Sequence, residues 1–116
     1  MAVHSTVKPY TTKLVGEDQR LPRDMRIIYS PVRGGHANTG FDLKSYDKFY
    51  ASYHDYCDLY EELLDSMGFT SYKIENPLTL EYAKTLCDSA YYRFLIAYSM
   101  ITERIAMEHG LDYDEM

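Results

Sequence analysis

The sequence predicts an α/β protein, with a partial parallel sheet followed by one long helix. Short apolar, β-branched runs at residues 2–7, 25–30, 47–52 and 69–74 predict four strands. A helical repeat of apolar residues then extends from about residue 78 to residue 109. Strands that precede a helix of this length indicate a small sheet packed against, or attached to, a helical spine.

The segments between the strands define a βαβ unit. Residues 11–15 predict a short helix, and residues 31–40, rich in glycine, predict an irregular surface loop. Ser52 and Asp55 have the spacing of a capping box, and Gly68 is a natural stop for the helix that they would begin. Strand, helix and strand between residues 47 and 74 therefore predict a parallel pair with a right-handed crossover.

The long helix has an apolar seam in which small residues recur. Its length, on the order of 45 Å at about 1.5 Å per residue, exceeds what a small core requires. We therefore expect a first unit over residues 1–76 and the start of a helical or dimerisation unit over residues 77–116. A coiled coil is the alternative, but consistent opposed charges at its flanking positions are lacking. Gly110 ends the helix, and Asp112 predicts the start of another. The seam consists of Leu80, Ala83, Cys87, Ala90, Phe94, Ala97 and Ile101.

Composition limits the classes of partner. A net charge of −6 and a pI of about 5.1 argue against a broad phosphate-neutralising surface, so we expect no nucleic-acid partner. No apolar run is long enough to cross a bilayer and no signal peptide is evident, so we expect a cytoplasmic protein without a membrane partner. Cys57 and Cys87 lack metal-ligand spacing and are interpreted as two buried thiols, with no metal site expected.

Three short motifs occur in order along the chain. Ser5-Thr6-Val7-Lys8-Pro9 follows the first strand and Ser30-Pro31-Val32-Arg33 follows the second. Lys84 and Asp88 are four residues apart on the long helix, so their side chains lie on one face. Together these motifs resemble the nucleotide-sugar 6-dehydrogenases, which oxidise UDP-glucose or GDP-mannose with NAD. The resemblance extends over nearly the whole chain, but only to the middle portion of such an enzyme.

The resemblance implies a fold and a role for each matching residue. The sheet would be the end of a Rossmann-like NAD domain, and the long helix would be the central helix of a dehydrogenase-type helical domain. Thr6 would lie beside the cofactor, and Val32 and Arg33 would lie at the substrate. Lys84 and Asp88 would be the catalytic pair that holds the sugar hydroxyl and the developing oxyanion.

This sequence departs from the family pattern at several points. Val32 replaces a glutamate that assists water, and Asp88 replaces an asparagine that can donate to an oxyanion. Tyr10 stands where the family prefers glycine. The G-x-G-x-x-G turn and the glycine-flanked nucleophilic cysteine are also missing from these residues. We therefore interpret the chain as a fragment or truncated relative that would bind NAD only in a complete enzyme.

Other interpretations of the same residues stay open. Lys84 and Asp88 could form only an ion pair within the helix, and Arg33 could be a solvated loop residue. Gly34 and Gly35 could form an anion-binding nest or a plain turn, and His36 could act as a base. The alternative function is a non-enzymatic module that forms a homodimer through the long helix.

Overall fold

The structure, a computed structural model, describes residues 1–34, 39–54 and 57–116. Four short strands form one sheet, and each lies within a run that the sequence predicted as a strand. They are adjacent in chain order. The strands are β1 (Ala2–Val3), β2 (Ile28–Tyr29), β3 (Lys48–Ser52) and β4 (Ser71–Lys73).

The sheet is mixed, whereas the sequence predicted a parallel one. β1 is parallel to β2, and β3 is parallel to β4 as the βαβ pattern predicted. β2 and β3 are antiparallel, with Ile28 opposite Ser52. An antiparallel neighbour starts at the end of the sheet where the preceding strand stops, so the chain from β2 to β3 needs no crossover over the sheet face. The α/β class is confirmed in this coarser form.

Three short helices connect the strands. α1 (Thr11–Gly16) follows β1 as predicted, and α3 (Asp58–Ser66) connects β3 to β4. α2 (Thr39–Ser45) was not predicted, because its glycine and flanking polar residues carry the composition of a loop. α3 begins later than the predicted capping box, whose Asp55 lies outside the described residues.

The predicted long helix is present and contains three segments. α4 (Pro77–Tyr82) leads into a π-helical segment (Ala83–Ala90), and α5 (Tyr91–His109) continues to the end. Here the three segments together are called the central helix. The Asn76 side chain caps the start of the central helix, because its Oδ1 accepts a hydrogen bond from the Leu78 amide at 2.9 Å. Gly110, with φ of 67°, ends it in the left-handed conformation that glycine tolerates best.

The core lies on both faces of the sheet. Successive strand residues point to opposite faces, so β3 contributes Tyr50 to one side and Ala51 to the other. One cluster packs under α3 and the other packs under α4. The first contains Ile28, Tyr50, Cys57 and Leu64, and the second contains Tyr29, Ala51 and Leu80.

α5 extends beyond this small core and exposes apolar side chains on all sides. Phe94, Tyr98 and Ile101 are each about 60% exposed. Beyond Gly110, Asp112 caps only a short 3₁₀ turn (Tyr113–Glu115) instead of a longer helix. Within the described residues, no helix combines the length and the hydropathy that crossing a bilayer requires.

The two cysteines differ, and the prediction that both are buried is wrong for one of them. Cys57 is fully buried against α3, but Cys87 is exposed on the π-helical segment. The seam on which Cys87 lies is apolar by sequence, but the sheet is too small to cover it beyond α4.

Candidate functional site

Three of the predicted site residues meet at one polar cavity of about 340 Å³. The cavity lies between the loop after β2, helix α2 and the π-helical segment. Its walls bring together two cations, two carboxylates and three hydroxyl groups. The lining residues are Arg33, Gly34, Asp42, Tyr46, Lys84, Asp88, Ser89 and Tyr92.

A second cavity, about 290 Å³ in volume and largely apolar, adjoins the first. Phe49 and Ile74 line it from the sheet, and Leu80, Ala83 and Cys87 line it from the central helix. Arg33 and Lys84 border both cavities. The two spaces therefore form one site with an apolar half and a polar half, separated by two cationic side chains.

Lys84 and Asp88 form an ion pair along the π-helical segment. Their side chains are 11% and 31% exposed, so the pair is more enclosed than an ordinary surface pair. The sequence left open whether these residues form an ion pair or belong to a site. The structure shows the ion pair, and both residues also line the polar cavity. The wider turn of a π-helix, with i to i+5 hydrogen bonds, still leaves residues four apart on nearly the same face.

Arg33 enters the site from the loop that follows β2. Its guanidinium lies 5.2 Å from the centroid of the Tyr46 ring, a cation–π arrangement that orients the side chain. Gly34 follows with φ of 109°, and any larger side chain there would overlap Asp42. Glycine at this position therefore lets the loop approach α2 closely. Gly35 and His36, also considered as site residues, lie outside the described residues.

The polar cavity is balanced in formal charge. The positive charges of Arg33 and Lys84 oppose the negative charges of Asp42 and Asp88. A carboxylate accepts hydrogen bonds from hydroxyl groups, and an ammonium donates to their oxygens. Such a cavity suits a neutral, hydroxyl-rich group better than a bare phosphate, which would meet both carboxylates.

Thr6 is exposed in the loop between β1 and α1 and, among the described residues, does not line either cavity. The next residue, Val7, is tied to the central helix, because the Thr85 hydroxyl donates to its carbonyl at 3.2 Å. Thr6 is therefore near the turn that carries Lys84, but the structure does not bring it into the site.

Glu81 also connects this loop to the central helix, and sequence reasoning did not select it. Its carboxylate is fully buried and accepts hydrogen bonds from the Tyr10 amide at 2.6 Å and the Thr12 amide at 2.8 Å. The Thr12 hydroxyl donates to it as well, at 2.7 Å. An acidic residue one turn before Lys84, next to apolar Leu80, was the signal that could have identified it.

The Glu81 contacts also test whether NAD fits these residues. A dinucleotide pyrophosphate binds where a strand leads into a helix N-terminus with free amides. Here the turn from β1 into α1 is such a place, but the Glu81 carboxylate already occupies its amides. These residues therefore do not fit the pyrophosphate of NAD at this turn.

Val32 lies on the other side of the loop from Arg33 and lines a separate cavity beside α3. Lys48, which no sequence motif indicated, also lines that cavity. Burial, and then the nearby positive charge of Lys84, lower the pKa of Lys48. Val32 therefore does not contribute to the site formed by Arg33, Lys84 and Asp88.

Tyr29 lies buried beneath α4. Burial, followed by the negative charge of Glu81, raises the pKa of Tyr29 to about 12. The protonated phenol is therefore the form that the folded chain favours at neutral pH.

In the part of the chain that the structure describes, no three His, Cys, Asp or Glu side chains come together as metal ligands would.

Comparison with protein family models, with curated proteins and with solved structures finds no match to this chain.

Proposed function

We propose that this chain is the middle part of an NAD-dependent nucleotide-sugar 6-dehydrogenase, and that it is inactive without further parts. The observation that carries the proposal is the convergence of Arg33, Lys84 and Asp88 on one polar cavity. These residues come from two separate motifs of the resemblance. Their common cavity is what a shared substrate would require.

The charge balance of the cavity supports the sugar as the group that enters it. The Lys84–Asp88 pair can make two hydrogen bonds to one hydroxyl group. The hydroxyl would donate to the Asp88 carboxylate, and the Lys84 ammonium would donate to the hydroxyl oxygen. The adjoining apolar cavity can receive a flat or apolar part of the same ligand. Arg33 lies between the two, where a diphosphate would connect them.

The residues also limit what this chain can do alone. The amides at the start of α1 are taken by Glu81, and these residues include no glycine-flanked cysteine as nucleophile. Hydride transfer would thus depend on a cofactor held by other segments. We expect no NAD reduction by the pure chain with UDP-glucose or GDP-mannose, and measurable reduction would contradict the proposed inactivity.

Ligand titration followed by NMR tests the site directly. We expect UDP-glucose or GDP-mannose to shift resonances around Arg33 and Lys84. Lys84→Met should weaken binding about tenfold or more, because a charge-assisted hydrogen bond is lost. Lys73→Met, which removes an exposed lysine on β4, is the matched control and should leave binding unchanged. Equal affinity of the Lys84→Met variant and the wild type would contradict the proposal.

A second candidate function is a dimerisation module built on the central helix. The observation in its favour is α5, whose apolar side chains are exposed around the whole helix. An exposed apolar surface of this kind marks an interaction site, and a second copy would cover it. Small Ala90 and Ala97 would allow two helices to approach closely.

The oligomeric state tests this second candidate. We expect the wild type to sediment as a dimer and Ala90→Glu to sediment as a monomer, because the variant would bury a charge in the contact. Glu103→Gln provides a control with a change outside the seam. A wild type that is monomeric at high concentration, or an Ala90→Glu variant that still dimerises, would exclude the module.

A further inference from the structure

A third cavity, of about 260 Å³, lies beside α3, on the other side of the loop after β2 from the candidate site. Its walls are almost entirely apolar. Val32 contributes from the loop, Leu64 and Met67 contribute from the end of α3, and Phe69 lies just before β4. Met67 is 51% exposed, so the cavity opens to solvent along α3.

A cation lines this apolar cavity. Lys48, at the start of β3, is only 6% exposed. Its ammonium donates to the carbonyls of Ser30 and Pro31, at 3.2 and 3.4 Å. An ammonium has three donors, and among the described residues the third has no acceptor and the charge has no carboxylate partner.

A buried cation that lacks an anion is costly to the folded state. The lowered pKa of Lys48 reflects this cost, and the neighbouring positive charge of Lys84 adds to it. An anion in the cavity would supply the missing partner and the third acceptor. The cation and the space beside it therefore point to a negatively charged ligand.

His4 narrows the class of ligand further. Its Nδ1 lies 2.7 Å from the Ser30 carbonyl and must carry the proton that it donates there. The imidazole also borders the cavity, so Nε2 is the nitrogen left to contact a ligand. With Nδ1 protonated, Nε2 of the neutral ring is an acceptor, and it donates to a carboxylate only in the doubly protonated imidazolium. The single ammonium of Lys48 is therefore the donor that suits a single carboxylate. The apolar walls disfavour the larger and more strongly hydrated phosphate.

We propose that the cavity beside α3 binds a small carboxylate with a short aliphatic or aromatic body, its carboxylate on Lys48 and its body against Val32, Leu64 and Phe69. The proposal does not rest on the dehydrogenase assignment, because neither Arg33, Lys84 nor Asp88 lines this cavity; Lys84 acts only through its charge on Lys48.

Titration of the full chain with phenylacetate, followed by ¹H–¹⁵N and methyl NMR spectra, tests the proposal. The neutral analogue 2-phenylethanol has the same ring without the charge. We expect saturable shifts at Val32 and Met67 with phenylacetate, and at least about tenfold weaker binding of the alcohol. Equal binding of the two compounds, or no binding of phenylacetate, would overturn the proposal.

A variant of Lys48 tests the charge of its ammonium without removing the apolar cavity. Lys48→Met keeps an apolar side chain of similar length and should weaken phenylacetate binding about tenfold or more. Lys44→Met, at an exposed position on α2, is the matched control and should bind as the wild type does. If Lys48→Met binds phenylacetate as tightly as the control, the assignment of the carboxylate to Lys48 is wrong.

Val32→Phe fills the cavity and leaves the lysine in place, so it provides a test that does not depend on folding of the Lys48 variant. We expect it to abolish binding of phenylacetate but to leave the ¹H–¹⁵N resonances of residues away from the cavity unchanged, which shows that the variant is folded. Retained phenylacetate binding would show that the ligand lies elsewhere and would overturn the proposal.

Discussion

At the scale of single residues, Glu81 has a structural role that the sequence did not predict. Three donors from the segment around α1 converge on its buried carboxylate. Tyr10, which supplies one of them, has a φ of 74°, a conformation that side chains with a Cβ rarely adopt. The hydrogen bond to Glu81 helps to hold that unfavourable backbone in place.

Glu81→Gln should destabilise the folded chain by about 2 kcal/mol, because one amide would face an NH₂ group instead of a carboxylate oxygen. Urea unfolding followed by circular dichroism measures the change. Glu62→Gln makes the same substitution at an exposed position of α3 and should change the free energy of unfolding by less than about 0.5 kcal/mol. Equal effects of the two substitutions would contradict a structural role for the buried carboxylate.

Tyr29 should make stability depend on pH in the alkaline range. Its pKa is about 12 in the folded chain, compared with an ordinary value of 10.0. Between these values the unfolded chain binds fewer protons than the folded chain, so the free energy of unfolding falls as pH rises. Below pH 10 this contribution is fully present.

Tyr29→Phe should therefore lose less stability between pH 10 and pH 12 than the wild type does. Chemical unfolding at a series of pH values measures the difference. Tyr91→Phe, at a side chain that is 57% exposed, should follow the wild-type curve. If the Tyr29→Phe curve coincides with the wild-type curve, the buried phenol does not control this transition.

At the scale of elements, the central helix was predicted from its periodicity, but its π-helical segment was not. Lys84 and Asp88 have the same spacing in sequence whether the turn is α or π, so a pattern of residues cannot distinguish them. Helix α2 was missed because its glycine, serine and threonine have weak helix propensity, so the local sequence favours a loop.

α5 should contribute little to the stability of the sheet. Its main contacts are with the π-helical segment before it and the 3₁₀ turn after it, both adjacent in sequence. A chain that ends after Ala90 should therefore keep its free energy of unfolding within about 1 kcal/mol. Urea unfolding of the shortened chain, compared with the full chain at a concentration where both are monomeric, tests this. A large loss would mean that α5 supports the sheet directly.

At the scale of the whole molecule, the chain is elongated. Its radius of gyration is 18.7 Å, whereas a compact domain of this length would have about 13 Å. The excess comes from α5, which leaves the sheet instead of folding back on it. The sequence predicted a partner for this helix from its length and its apolar seam, and the structure leaves that helix uncovered by the sheet.

The fold was largely predictable because periodicity reports which residues face a core. The strands and the central helix follow from that signal, and the parallel β3–β4 pair follows from the order of strand, helix and strand. The antiparallel β2–β3 pair depends on how the intervening segment folds back, which no local pattern encodes. Glu81 and Lys48 escaped prediction because most of their partners are backbone groups, which a sequence pattern does not reveal.

The hydrogen bonds between Glu81 and Thr12 have a consequence for synthesis of the chain. They connect residues 69 positions apart, so the segment around α1 cannot complete its contacts until residue 81 has been made. Contacts of such large separation slow folding, since a long loop must close before they form. During translation the segment around α1 would therefore wait for the central helix, and a ribosome stalled before residue 81 should carry a nascent chain that proteases cleave around α1.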